Sequence, residues 1–293
     1  MTVQERLPLQ GKTVLVTRAA SQAGSFCNCL QSRGATVIEM PTLEIVPPSS
    51  WAALDEAIAQ LASFDWLILT SANGVHAFFE RLALSSKEIT LDSVKIAVVG
   101  KKTAASLKKY GYEPTFTPPN FVADDLVSSF PDAKTLSSCR LLFPRVESGG
   151  RAVLIKEFSK KGATVVEVPA YQSQCPEIIT PTALAALQAE QVDVITFASS
   201  KTVRYFAQLF SQALSLDADS DQCAVGEDAY RDNEQPSYAK MKTHLKNACI
   251  ASIGPQTSKT CREILGRVDL EAEEYTLDGL LTSLMEWSNS VNV

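Results

Sequence analysis

Gly34–Pro41 reads GATVIEMP, and Gly162–Pro169 reads GATVVEVP. Where the two octapeptides differ, one apolar residue replaces another. Each closes a longer matching segment. Lys12–Glu44 opens KTVLVTRAASQAG, and Cys139–Gln172 opens CRLLFPRVESGG. Further on, Asp65–Phe79 (DWLILTSANGVHAFF) matches Asp193–Ala207 (DVITFASSKTVRYFA). Lys95–Val127 likewise matches Cys249–Leu281. The chain therefore reads A-B-C-A-B-C. Each unit is a short apolar strand, a small polar turn and an amphipathic helix; in Lys102–Tyr110 the apolar residues Ala104, Ala105 and Leu107 recur at helical spacing. Repeated strand–turn–helix units predict parallel sheets wrapped by helices, and the right-handed crossover rule favours a doubly wound arrangement.

Each A segment runs on into an extended stretch. Thr42–Val46 and Ala170–Gln174 are extended segments with proline on both sides. As a matched pair they suggest two crossings between the same two bodies, a hinge that bends without free tumbling. Leu216–Ala239 has no counterpart in the first half, and its DADSDQ and RDNEQPSY runs predict a solvated loop.

Composition narrows the function. A length of 293 residues is more than one ordinary core and predicts two domains. Hydrophobic residues make up 45% and charged residues 20%, as in a soluble globular protein. The formal net charge is −6, which argues against nucleic acid or an anionic membrane as partner. Any anionic ligand must then be held by a few cations and by backbone N–H groups. Seven cysteines without a CxxC pair predict reduced thiols, and with only His76 and His244 a zinc site is not expected. Met1 to Gln10 lacks the apolar core of a secretory signal, so a cytoplasmic protein is expected.

Nucleotide motifs fail. Gly11-Lys12-Thr13 resembles the end of a phosphate loop, but Arg6 stands where that pattern needs glycine, and no GxGxxG occurs. No Ser/His/Asp triad is readable, and His76 reads as a packed or surface histidine. Six polar turns remain. In open α/β sheets ligands bind at the carboxyl ends of strands, where helix N-termini offer unpaired N–H groups. The repeat places there Thr17-Arg18, Ser71-Ala72-Asn73, Gly100-Lys101, the turn holding Arg145, Ser199-Ser200-Lys201-Thr202, and Gly254-Pro255-Gln256-Thr257. Ser, Thr and Asn at such positions are also ordinary N-caps. Six of them together, facing one cleft, would let an acidic protein hold a polyanion.

With those residues in view, the sequence resembles the uroporphyrinogen-III synthase family. The match runs from VLVTRA at Val14–Ala19 to YTLDGL at Tyr275–Leu280. Its most specific pieces are TSANGV (Thr70–Val75), ITFASS (Ile195–Ser200), ASIGPQTS (Ala251–Ser258) and EEYTLDGL (Glu273–Leu280). The resemblance implies two flavodoxin-like parallel-sheet α/β domains joined by a two-stranded ladder. One domain is then discontinuous, 1–41 with 176–293, the other is 47–169, and 42–46 and 170–175 are the crossings; the residues themselves would equally allow two tandem ABC domains. It implies cyclisation of hydroxymethylbilane to uroporphyrinogen III through an azafulvene and a spiro-pyrrolenine, with ring D inverted and with no cofactor or metal. It implies a monomer that receives its substrate from hydroxymethylbilane synthase. Tyr171, in PAYQ, matches a tyrosine near the reacting end in relatives, where its phenol can donate to the departing hydroxyl; an aromatic packing the hinge is the other reading. The relatives' Gly-Pro-Thr-Thr turn is here Gly254-Pro255-Gln256-Thr257, so only the second threonine is retained. A non-catalytic two-lobed binder of small anions is the main alternative.

Overall fold

The computed structural model describes residues 7–85, 89–119, 123–131, 136–148, 152–216 and 236–291. In chain order the strands are β1 (Thr13–Val16), β2 (Thr36–Glu39), β3 (Glu44–Val46), β4 (Trp66–Leu69), β5 (Lys95–Val98), β6 (Arg140–Val146), β7 (Thr164–Gln174), β8 (Val194–Phe197), β9 (Cys249–Ser252) and β10 (Leu270–Glu271). The α-helices are α1 (Ala20–Ser32), α2 (Ala52–Ala59), α3 (Ala72–Ala83), α4 (Lys101–Lys108), α5 (Ala123–Ser128), α6 (Ala152–Lys160), α7 (Pro181–Gln188), α8 (Ser200–Leu216), α9 (Pro236–His244), α10 (Pro255–Leu265) and α11 (Leu277–Val291). Most of the interval between α8 and α9, the predicted loop, lies outside the described residues.

The chain divides into two compact units. Unit 1 comprises Met1–Glu44 and Gln174–Val293; unit 2 is Ile45–Ser173. The sheet of unit 1 has the order β10-β9-β8-β1-β2, with every pair parallel. The second sheet runs β3-β7-β6-β4-β5, in which β7–β6, β6–β4 and β4–β5 are parallel. Phe116 forms a parallel bridge with Ala97 and supplies a rudimentary strand beyond β5. Numbered within the repeats, both sheets have the flavodoxin-like order 2-1-3-4-5. The first A segment thus supplies β1 and β2 to the sheet built by the second B and C segments, and the second A segment supplies β6 and β7 to the first B and C. β3 and β7 carry the chain across the two unit boundaries and are neighbours, forming the two-stranded ladder.

Each sheet is buried on both faces, which is why its strands read as near-continuous apolar runs. In unit 1, Leu15, Ile195, Phe197 and Ile250 pack with residues of α7, α8, α9 and α10. On the opposite face Val14, Val16, Val194 and Ala251 meet α1 and α11. In unit 2, Leu67, Leu69, Ile96, Val98 and Leu142 face α2, α3 and α4. Trp66, Ile68, Leu141 and Phe143 face α5 and α6. The aspartates that open the B segments have matched duties. Asp193 Oδ2 accepts the Thr13 N–H at 2.7 Å, and Asp65 Oδ2 accepts the Arg140 N–H at 2.7 Å. Each clips the entry of a central strand to its neighbour.

Helix ends follow local chemistry. Ser71 caps α3, its Oγ accepting the Gly74 N–H at 3.0 Å. Proline occupies the start of α7 and α10, where no N–H partner is lost. Gly266 ends α10 with φ 85°, a left-handed conformation that a side chain resists. Among the described residues no helix is long and apolar enough to cross a membrane. Among the described residues the six cysteines form no disulfide, and burial pushes Cys175, Cys249 and Cys261 up to about 12, which keeps these thiols protonated.

Candidate active site

The carboxyl ends of the strands in unit 2 lead into three of the predicted turns. At the end of β4, the half-buried Ser71 has two partners. Besides the Gly74 N–H, its hydroxyl lies 3.1 Å from the Tyr171 phenol oxygen. The approach is tight: a Cβ on Gly74 would come to 3.2 Å from Ser71 Oγ, 3.5 Å from the Pro144 carbonyl and 3.9 Å from the Tyr171 ring. Only the Ser71 contact is tighter than ordinary packing, so glycine here eases the approach of the capping hydroxyl. Ala72 and Asn73 are half-buried in the same first turn.

Tyr171 is aimed by an irregularity in the sheet. β6 and β7 pair regularly from Arg140 with Thr164 to Arg145 with Pro169, and the register then slips so that Val146 pairs with Tyr171. The Glu147 N–H donates to the Tyr171 carbonyl at 2.8 Å and holds the slipped backbone. The Tyr171 ring consequently packs with the core on the α2–α3–α4 side of the sheet. Glu147 in turn accepts both the N–H and the hydroxyl of Ser49, and these bonds hold its carboxyl below the usual range.

Arg145 goes the other way. Its guanidinium donates to Glu167 Oε2 at 2.6 Å, and both residues line a groove with Ile155, Lys156, Ser159 and Lys160 of α6. Its side chain is 11% exposed, and its Nε is buried without a hydrogen-bond partner. The structure thus gives Arg145 an internal counter-ion, which the sequence pattern does not reveal. The third turn, Gly100-Lys101, opens α4; Gly100 has φ 92° and Lys101 is exposed. His76 is engaged locally, its Nδ1 2.9 Å from the Tyr110 hydroxyl.

In unit 1 the turns are knitted together. The Thr17 hydroxyl is buried and donates to the Thr196 carbonyl at 2.7 Å, so it joins β1 to β8. Thr42 donates its hydroxyl to the Thr17 carbonyl at 2.9 Å. Arg18 reaches the side chain and carbonyl of Gln22, and partial burial lowers its pKa from the ordinary arginine value. Ser199 accepts the Thr202 N–H at 3.2 Å, and Thr202 is buried. The Ser200 hydroxyl donates to the Gln256 carbonyl at 3.0 Å and ties the B turn to the C turn. Lys201 is half-buried over the Tyr205 ring, 5.3 Å from its centroid, and desolvation pulls it below 10.5. The Gly254 N–H donates to Ser252 Oγ at 3.2 Å; Pro255 and Gln256 are exposed, while Thr257 is buried. Of the residues singled out from sequence, Arg18, Ser199, Ser200, Lys201, Pro255 and Gln256 keep solvent access in unit 1. Thr17, Thr202 and Thr257 have their side chains inside the unit.

One residue at this edge escapes the turn-by-turn reading. Tyr275, in the loop before α11, is 65% exposed, and its ring lies against Gly254.

Fold and edge together define a twin-unit, flavodoxin-like α/β protein whose strand ends present hydroxyls, backbone amides and partly desolvated cations. Comparison with known proteins gives this class a narrower identity. The sequence profile described as uroporphyrinogen-III synthase HemD matches residues 28–282. A uroporphyrinogen-III synthase of Synechococcus elongatus is 49% identical over 281 residues, covering 96% of this chain and 97% of the relative. A putative uroporphyrinogen-III synthase of Methanocaldococcus jannaschii is 28% identical over 92% of this chain and 95% of its own length. Among solved structures, the uroporphyrinogen-III synthetase of Helicobacter pylori superposes with a TM-score of 0.57 at 16% identity, covering 96% of this chain and 99% of that one. At that identity the superposition speaks for the fold alone. This chain belongs to the uroporphyrinogen-III synthase family.

Proposed function

We propose that the chain closes hydroxymethylbilane into uroporphyrinogen III, in tetrapyrrole biosynthesis. The terminal hydroxymethyl C–O bond breaks and its oxygen leaves as water. The ring-A pyrrole nitrogen supplies the electron pair, giving an azafulvene cation. Ring D attacks through its substituted α-carbon to form a spiro-pyrrolenine. The bond from that carbon to the ring-C methylene then breaks, the freed methylene re-bonds at the other α-carbon of ring D, and that carbon loses its proton, so ring D emerges inverted. Family membership supports the reaction. The observation that carries the chemistry is the Tyr171 phenol, 3.1 Å from Ser71 at the carboxyl end of β4. Its hydroxyl can donate a proton to the leaving hydroxyl. Such donation is typically worth about 10²–10⁴-fold. Because the pyrrole nitrogen already drives departure, the lower end applies here.

The substrate carries carboxylates on its acetate and propionate arms, while the protein is itself acidic at −6. Arg18, Lys201, Lys101, the hydroxyls of Ser199 and Ser200, and the backbone N–H groups at Ala72, Asn73, Gln256 and Thr257 are the donors we assign to those arms. Arg145 joins them only by giving up Glu167. Pro255 opens α10 without an N–H of its own and shapes that turn. The protein acts as a cytoplasmic monomer that takes its substrate from hydroxymethylbilane synthase. The decisive assay mixes pure protein with enzymatically generated hydroxymethylbilane and identifies the porphyrin isomer after oxidation. Isomer III is the expected product; isomer I alone, the product of spontaneous closure, rejects the reading and favours a non-catalytic anion binder.

A further inference from the structure

Tyr275 is among the most exposed large side chains of the described residues, yet the surrounding chain is arranged to keep it still. Its ring rests on Gly254, where a Cβ would sit 2.9 Å from Tyr275 Cδ1 and 3.2 Å from Cγ. Gly254 has an extended backbone, φ 163° and ψ 179°, which any residue can adopt. The turn therefore does not demand glycine; the tyrosine ring does. Beneath it, the Ser252 hydroxyl accepts the Gly254 N–H at 3.2 Å, donates to the Gly254 carbonyl at 3.0 Å and receives the Ser258 hydroxyl at 3.0 Å. That network fixes the surface on which the ring lies.

The loop carrying Tyr275 is held as firmly. The Thr276 N–H donates to the Glu274 carbonyl at 2.7 Å, and the Thr276 hydroxyl caps α11 by accepting the Gly279 N–H at 3.0 Å. A Cβ on Gly279 would collide with the Glu274 carbonyl oxygen, so this glycine is also required by the approach of the loop. Within the YTLDGL motif, Thr276, Gly279 and Leu280 thus each have a structural task. Thr276 caps, Gly279 admits the loop, Leu280 is fully buried in the core, and all of them leave Tyr275 pointing into solvent at the carboxyl end of β9.

A tyrosine that is 65% exposed contributes little to the core, and its placement needs another reason. We infer that Tyr275 contacts substrate directly, its ring forming a fixed flat platform against which one pyrrole ring of the linear tetrapyrrole packs. The assignment rests on the cyclisation proposed above. A rigid aromatic with only two side-chain torsions offers contact area at small entropic cost. Paired aromatic rings gain energy beyond their buried area.

The test compares Tyr275→Ala, Tyr275→Phe and Gly254→Ala with the wild type, using hydroxymethylbilane as the varied substrate. Tyr275→Ala should raise KM roughly threefold to tenfold with kcat changed less than twofold, from the energy of aromatic pairing. Tyr275→Phe should stay within about twofold of the wild type, because the ring is kept. Gly254→Ala, which displaces the ring, should raise KM alone but add nothing in the Tyr275→Ala background. Thermal unfolding should be unchanged in both Tyr275 variants, since the side chain is exposed. Wild-type KM in Tyr275→Ala overturns the inference, as does a loss confined to kcat. Failure of the wild type to form isomer III would instead strike the cyclisation itself, so the two failures are told apart.

Discussion

Replacing Ser71 separates two tasks that one hydroxyl performs. Its oxygen accepts the Gly74 N–H at 3.0 Å and lies 3.1 Å from the Tyr171 phenol. As an N-cap, serine exchanged for alanine costs about 1 kcal/mol, whereas serine exchanged for glycine costs only a few tenths. Ser71→Gly therefore keeps α3 and removes the phenol's partner. A neutral hydrogen bond contributes about 0.5–1.5 kcal/mol, and 1.36 kcal/mol is tenfold in rate. The expected loss in kcat is roughly twofold to tenfold. In a Tyr171→Phe background no phenol remains to be positioned, and the same Ser71→Gly change should cost almost nothing. Ser71→Thr, which retains a hydroxyl, should recover much of the rate. The assay is initial rate and isomer ratio on hydroxymethylbilane, with thermal unfolding of each variant as control. An equal loss in both backgrounds would refute the coupling, because Ser71 would then act on substrate or fold without passing through Tyr171.

Tyr171→Phe by itself should lose roughly tenfold to a hundredfold in rate, at or just below the bottom of the usual range for proton donation, and still make isomer III; an unchanged rate would reduce the residue to packing. Burial lowers Lys201 from 10.5, so its charge is present below the depressed value and is lost, as pH rises, earlier than in a free lysine. KM for the polyanionic substrate should accordingly climb on the alkaline side, and Lys201→Arg should flatten that limb; identical profiles would exclude Lys201 from the carboxylate contacts. Arg145→Ala should weaken substrate binding more at low than at high salt if Arg145 leaves Glu167 for a substrate arm; a salt-independent, wild-type KM removes it from the site. Asp193→Ala strands the Thr13 N–H, whose bond to the carboxylate is 2.7 Å, and should lower stability by about 1.5–3 kcal/mol in denaturant unfolding. A change below a few tenths would show that the clip is dispensable.

The repeat was legible because each strand of a doubly covered sheet must be apolar throughout, and such runs stand out when they recur with the same turn behind them. The exchange of A segments between units was carried by the family resemblance. β1 and β6 offer the same kind of surface, so periodicity alone cannot say which sheet either joins. Arg145 shows a second limit. Its partner Glu167 sits 22 residues away on the adjacent strand, and only the register of β6 on β7 brings them together. Thr17 looked like a free donor in a polar turn, but its hydroxyl closes on a carbonyl 179 residues away. Tyr275 went unread for the opposite reason. The signal lay in glycines at 254 and 279, which look like ordinary turn residues until something is seen occupying the space their side chains would need.

The split of unit 1 along the chain has a consequence during synthesis. Thr13 meets Asp193 across 180 residues. At about 5–20 residues per second, a ribosome needs on the order of 10–40 s to deliver β8 after β1 has emerged. Unit 2 is contiguous and can close in that interval. Val14, Leu15 and Val16, all fully buried in the finished protein, have only β2 beside them until then. The nascent chain therefore carries a two-stranded apolar fragment, β1 paired with β2 but lacking β8 on its other edge, while unit 2 can already fold, and this amino-terminal segment is the place where a chaperone would be needed first.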